Sequence, residues 1–229
     1  MFDFIRKPLI WQAWDNAYNK EIGATGSFCL KSMQDLAVYS YLRGSENLTI
    51  AEIGGGDSRI LQTLAKRNRC FNIEKFEGDG GGPSEEVKIA GVENIKAFLG
   101  DNDPQLKSDF FDVVFSISVV EHVPDLKSFF DDGVRILKSG GLWLHAVDMY
   151  VEDEPNGHAI RKFENIRNWA TAPSVSPIGP VYDGPPAFSC DIASNPDNTM
   201  HRWGRLSPRL ADLRKKAQCV SLLVGARKI

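Results

Sequence analysis

Short apolar runs alternate with segments of helical period through the middle of this chain. Leu48–Ile53, Cys70–Ile73, Asp112–Ser118 and Leu142–Val147 read as strands, and a further strand is expected within Ile95–Leu99. The run Asp112-Val113-Val114-Phe115-Ser116-Ile117-Ser118 does not alternate between polar and apolar, which predicts a strand covered on both faces, as in a parallel sheet. Between these strands the period changes. Ile60, Leu61 and Leu64 share a face of a helix from Ser58 to about Asn68, and Phe129, Phe130, Val134 and Leu137 define one over Leu126–Leu137. Ser139-Gly140-Gly141 is expected to end that helix. Leu30, Met33, Leu36, Ala37 and Tyr41 predict an earlier helix over residues 28–43.

After Asp148 the alternation stops. Residues 171–208 carry seven prolines and few periodic apolar positions, and so long a stretch without regular structure is usually functional or disordered. The pattern returns with Leu206, Leu210 and Leu213, which suggest a helix, and Val220–Ala226, which reads as a closing strand. The expected architecture is α/β: a doubly wound, mostly parallel seven-stranded sheet with helices on both faces. The chain is expected to divide into an N-terminal helical cap (1–47), an α/β core (48–150), a variable insertion (151–208), and a final helix and strand completing the sheet (209–229).

Composition narrows the function. The 229 residues carry a formal net charge of −3, so no global attraction to nucleic acid or to an anionic membrane is expected. No run approaches the roughly twenty apolar residues of a membrane span, and the N-terminus lacks the pattern of a secretory signal. Cys29, Cys70, Cys190 and Cys219 lie far apart in no metal-binding spacing. The expectation is a cytoplasmic protein with reduced thiols and no metal. The segment from Met200 onward is basic, with only Asp212 among eight Lys and Arg side chains. It reads as a solvated helix face, or as a rim that meets an anionic substrate.

The chemistry concentrates at Glu52-Ile53-Gly54-Gly55-Gly56-Asp57-Ser58-Arg59. A strand, a glycine turn and a helix start bring backbone N–H groups close to a ligand. A dinucleotide would set an anionic pyrophosphate there, against the carboxylates of Glu52 and Asp57, and Arg59 occupies the place of the third glycine in G-x-G-x-x-G. A ligand with a cationic centre, hydroxyls and one small carboxylate suits the site better, and S-adenosylmethionine has that charge pattern.

Two further motifs, Phe111–Asp125 (FDVVFSISVVEHVPD) and Arg135–His145 (RILKSGGLWLH), follow in order. With the glycine turn they make the chain resemble class I S-adenosylmethionine-dependent methyltransferases of the small-molecule branch, over roughly residues 45–150. The loop Phe76-Glu77-Gly78…Gly82-Pro83 is similar to that of relatives that decorate bacterial surface polysaccharides. The resemblance implies that Gly54, Gly55 and Gly56 admit the methionine end of the cofactor, and that Glu52 and Asp57 hold its ammonium group. Glu74, at the end of the second strand, would accept the ribose hydroxyls, with Glu77 as its competitor. Asp101 would accept the adenine amine, or it is a turn former in DNDP. Ser116, Ser118 and Glu121 would form the floor beneath the cofactor.

His122, beside that floor, is a candidate general base or a structural partner of Glu121. His145 and Asp148 are further candidates, with Tyr150, His158 and His201 behind them. The resemblance implies methyl transfer to a small polar acceptor, anionic or sugar-based, such as a hydroxyl of a sugar or sugar nucleotide in surface polysaccharide biosynthesis. A nicotinamide-dependent oxidoreductase of the same fold class and a non-catalytic binding relative are the alternatives.

Overall fold

The computed structural model describes residues 1–5, 18–23, 30–78, 82–151, 157–184 and 218–229. The elements are β1 (Phe2–Phe4), α1 (Tyr18–Glu21), α2 (Leu30–Leu42), β2 (Thr49–Ile53), α3 (Arg59–Leu64), β3 (Arg69–Glu74), β4 (Val92–Lys96), β5 (Phe111–Ile117), α4 (Leu126–Ile136), β6 (Leu137–Val151), α5 (Gly157–Ala170), β7 (Val175–Pro177) and β8 (Gln218–Lys228). They build one sheet in the order β1-β8-β6-β5-β2-β3-β4, with β7 paired to β8 beside β1. Strands β2 to β6 are mutually parallel and β8 runs antiparallel to β6.

Alternate side chains of each central strand enter different cores, which is what a strand buried on both faces requires. Ala51, Val114, Trp143 and Val147 pack with Phe129, Phe130, Phe163 and Ile166 of α4 and α5. Ile50, Val113, Phe115, Leu144 and Ala146 pack with Met33, Leu36, Ile60 and Leu61 of α2 and α3. Gly133 lets α4 approach the sheet: a Cβ there would lie 1.8 Å from Cη2 of Trp143. Short α3 is capped by Ser58, whose hydroxyl accepts the Leu61 N–H at 3.1 Å.

Several expectations needed correction. Phe2–Phe4, read as part of a helical or irregular region, is a strand on β8. Its phenyl rings sit against Phe163, and backbone pairing with Leu222–Val224 makes it the sheet edge. Strand β4 lies earlier than Ile95–Leu99, at Val92–Lys96, and leaves Ala97–Leu99 as a buried apolar loop. The glycines after Ser139 do not stop α4. The N–H groups of Asp109 and Phe110 bond the Arg135 and Ile136 carbonyls, and the chain passes directly into β6. The glycines instead lie where the β5–β6 register shifts between Phe111 and Val113. Within 151–208, α5 and β7 are regular elements that were not expected; β7 lies inside the proline-rich stretch and α5 just before it. The helix expected at Leu206–Leu213 and His201 lies outside the described residues, as do the side chains of Tyr150 and His158. No helix among the described residues is long and apolar enough to cross a membrane.

Candidate active site

The chain runs from β2 to β3 and β4 on one side of the sheet and places β5 and β6 on the other, so the sheet reverses direction between β2 and β5. Adjacent strands must part there, and ligands of open α/β sheets bind at such a point. The parting is visible in the backbone. The Gly54 N–H bonds the Ile73 carbonyl on the β3 side at 2.9 Å, while the Ser118 N–H bonds the Ala146 carbonyl on the β6 side at 2.9 Å. Both residues turn with positive φ, +65° at Gly54 and +54° at Ser118.

A cavity of about 460 Å³ opens at this split. Ile53 and Gly54 form one wall, Ile73, Glu74 and Lys75 a second, and Ala97, Phe98 and Leu99 a third; Ser118–Val119, His122–Pro124 and Phe129 close it. Glu74 is the one carboxylate among the described lining residues, and its Oε1 accepts the Lys75 N–H at 2.9 Å. The Lys75 ammonium sits 4.1 Å from the centre of the Phe98 ring. At Gly54 the approach is close: a Cβ would lie 2.6 Å from Cγ2 of Val119. Val119 was expected at this edge with Ser118; the other apolar walls are shaped by loops, which is why helix and strand periodicity did not single out Phe98 or Val123 as lining residues.

Of the residues expected to meet the cofactor, Gly54, Glu74 and Ser118 line this cavity. Glu52 does not. It is 4% exposed on the α2–α3 side of the sheet, its Oε2 has no hydrogen-bond partner, and burial pushes its carboxyl up to about 8. Ser58 and Lys31 oppose that shift and Asp35 adds to it. Gly55 bonds the Asn72 Oδ1 at 3.1 Å and so ties the bend to β3. Neither Gly55 nor Gly56 is among the lining residues. Asp57 and Asp101 are exposed and also lie off the cavity. Gly100, at φ +115°, turns the chain after Leu99, so the wall ends one residue short of Gly100-Asp101.

Ser116 belongs to the core, where its Oγ is 2.6 Å from the His145 Nδ1. His145 is wholly buried against Trp143 and lines neither of the two cavities. Burial lowers its imidazole to about 3. Asp148, also buried, accepts from the Gln34 amide, which bonds Ser221 Oγ at 2.9 Å and accepts from Ser118 Oγ at 2.9 Å. Asp148 therefore holds α2 to the sheet ends and is not among the described lining residues of either cavity.

A second cavity, about 740 Å³, lies beyond His122, between the start of α4 and α5. It shares His122, Val123 and Pro124 with the first. Glu121 lines it with a carboxylate that has no hydrogen-bond partner on either oxygen. The amides of Glu121 and Asp148 are close enough to favour its charged form, yet neither makes a bond of normal geometry. Burial first, and Asp148 second, push this carboxyl above the usual range. Lys162 donates to the Glu121 carbonyl, and burial lowers its ammonium. The His122 Nε2 stands 3.9 Å from Glu121 Oε1, and its side chain is half exposed. Trp169 was expected as packing or as a substrate-pocket wall; the rest of the α5 face on this cavity, Arg161, Lys162, Asn165 and Asn168, was not foreseen, because no helix was expected in this part of the variable insertion.

Residues 51–144 match the family model described as a methyltransferase domain. A ubiquinone biosynthesis O-methyltransferase of Paramagnetospirillum magneticum is 26% identical over 117 residues, 47% of this chain and 43% of that protein. The match therefore spans less than half of that curated relative. Among solved structures, geranyl diphosphate C-methyltransferase from Streptomyces coelicolor, bound to Mg2+, geranyl diphosphate and S-adenosylhomocysteine, superposes with a TM-score of 0.56 at 13% identity, covering 100% of this chain and 91% of that one. Phosphoethanolamine N-methyltransferase 2 from Haemonchus contortus, bound to S-adenosylmethionine, has a TM-score of 0.56 at 16% identity and covers 93% of this chain and 56% of that one. At these identities the likeness to the solved structures is one of fold.

Proposed function

We propose that the chain is a class I S-adenosylmethionine-dependent methyltransferase, as the methyltransferase-domain match over residues 51–144 supports, and that it methylates an oxygen of a small polar acceptor. The observation that carries the reading is the cavity at the split between β2 and β5, with a glycine bend at one end and a single carboxylate in its described wall. Its chemistry fits the cofactor. Glu74, which lines the cavity, is the residue to which this reading gives the two vicinal ribose hydroxyls. Phe98, Leu99, Val119 and Val123 offer apolar faces to a purine, and Gly54 and Ser118 present backbone to the amino-acid end.

A pyrophosphate fits less well. The cap on α3 already uses the Leu61 N–H, and Arg59 is drawn away to Asp35 at 3.0 Å. Lys75 is the one Lys or Arg among the described lining residues, and it rests on Phe98.

When bound, S-adenosylmethionine supplies a methyl group on a sulfonium that leaves as a neutral thioether. The chain's own part is to align the acceptor, exclude water and take up a proton. His122 is the imidazole at the junction of the two cavities, so it is the group we place to receive the acceptor's hydroxyl proton. The acceptor class we favour is a hydroxyl of a sugar or sugar nucleotide. Oxygen is supported by the name of the curated relative, and a hydroxylated acceptor by the mixed polar lining beyond His122.

Calorimetry with S-adenosylhomocysteine and with NAD tests the cofactor. One mole of S-adenosylhomocysteine per chain is expected to bind. Folded protein that takes NAD and ignores S-adenosylhomocysteine would overturn the assignment. Release of S-adenosylhomocysteine in the presence of hydroxylated acceptors, absent from a His122→Ala variant, tests the transfer.

A further inference from the structure

The cavity between the start of α4 and α5 carries a buried acid, a fixed aromatic plane and a cation that forms no ion pair among the described residues. The Glu121 side chain is 2% exposed, neither of its oxygens has a hydrogen-bond partner among the described residues, and the residue lines the cavity. A buried carboxyl left unpaired costs stability unless something else satisfies it. Trp169 stacks on Phe130 at 4.2 Å and 15°, which fixes the indole plane along the cavity wall. Asn165 and Asn168 add carboxamides that both donate and accept.

Most charges around this space are already matched. Lys127 pairs with Asp131, Asp125 caps α4 through Ser128, and Lys162 bonds the Glu121 carbonyl. Arg161 forms no ion pair among the described residues.

We propose that this cavity is the acceptor subsite, and that it takes a hydroxylated ring bearing an anionic group. A ring hydroxyl meets Glu121, an apolar ring face lies on Trp169, and the anion is held by Arg161 at the rim. The inference rests on the methyltransferase reading, because it makes the neighbouring cavity, which shares the lining residues His122–Pro124, the source of the methyl group. A volume of about 740 Å³ accommodates such a molecule. The charge of the rim asks for a carboxylate or a phosphate, and Arg presents the planar fork that both anions match.

D-glucuronate, D-glucose 1-phosphate and neutral D-glucose, titrated into protein saturated with S-adenosylhomocysteine, distinguish the possibilities. Affinity is read by calorimetry and location by the Trp169 indole resonance, assigned with Trp169→Phe. At least one anionic sugar is expected to bind roughly tenfold or more tightly than glucose, as one charge-assisted contact implies, and to shift the Trp169 signal. Preference for glucuronate identifies a carboxylate; preference for glucose 1-phosphate identifies a phosphate. Arg161→Gln should bring the anionic sugars to within about twofold of glucose, while Glu121→Gln should weaken all of them alike.

No shift at Trp169 with any of the sugars, or Arg161→Gln that leaves the anionic preference intact, overturns the subsite. If S-adenosylhomocysteine itself fails to bind, the methyltransferase reading falls. The same titrations on the protein alone then decide the subsite by the same criteria.

Discussion

Replacing Gly54 by alanine perturbs the split between β2 and β5 at a single atom. The added Cβ meets two obstacles. Gly54 sits at φ +65°, where a side chain costs roughly 1–2 kcal/mol. The Cβ would also stand 2.6 Å from Val119 Cγ2, about 1 Å inside the roughly 3.5–4.0 Å of a normal carbon contact. Val119 is β-branched and stiff about χ1, and it lines the cavity. It must therefore move into the ligand's space or force the bend aside, an overpacking cost of roughly 1–3 kcal/mol.

Gly54→Ala should then lose roughly 2–5 kcal/mol, divided between folding and ligand affinity. Urea denaturation and S-adenosylhomocysteine calorimetry measure the two parts. Val119→Ala in the same chain removes Cγ2 and should recover the contact portion, leaving the backbone cost. The cycle should show a coupling of roughly 1–3 kcal/mol. Strict additivity would refute the contact, and unchanged stability and affinity in Gly54→Ala would refute the placement of the bend against the cavity.

Other outcomes follow from the same geometry. Glu74→Ala should cost roughly 1.5–3 kcal/mol of S-adenosylhomocysteine affinity with little change in the urea midpoint, because Oε1 bonds only the adjacent Lys75 N–H; equal affinity would remove Glu74 from the site. The Glu52 carboxyl rises from 4.5 to about 8 in the native state, so the folded chain holds a proton that the unfolded chain has lost, and stability falls as pH rises through that window. Glu52→Gln should flatten the decline between pH 6.5 and 8, and a slope equal to the parent's would contradict the burial. His145, lowered from 6.5 to about 3, should keep a neutral ring at pH 5 in NMR spectra, and stability should decline as pH falls below 6.5 because only the unfolded chain gains that proton. A ring that titrates near its ordinary value would place it outside the core.

The central strands and the glycine bend were legible in the order of residues, because period and turn chemistry are local. Val113–Ile117 is apolar on both sides wherever it folds, and Gly54-Gly55-Gly56 permits a bend that few other residues allow. Glu74 was legible for the same reason, as an acid at the end of a strand that could be recognised. The fates of the other acids and histidines were not local. Glu52 and Gly54 are two positions apart, yet Glu52 points beneath α3 while Gly54 faces the cavity. Ser116, a plausible floor residue by its neighbours, pairs with His145 across the β5–β6 ladder. Asp148 is committed to Gln34, 114 positions earlier. Which side of the sheet a polar group enters, and whether its partner arrives from α2, β6 or α5, depends on strand order and helix packing. Those long-range contacts separate a buried structural carboxylate from one that faces a ligand, and only the folded chain brings them together.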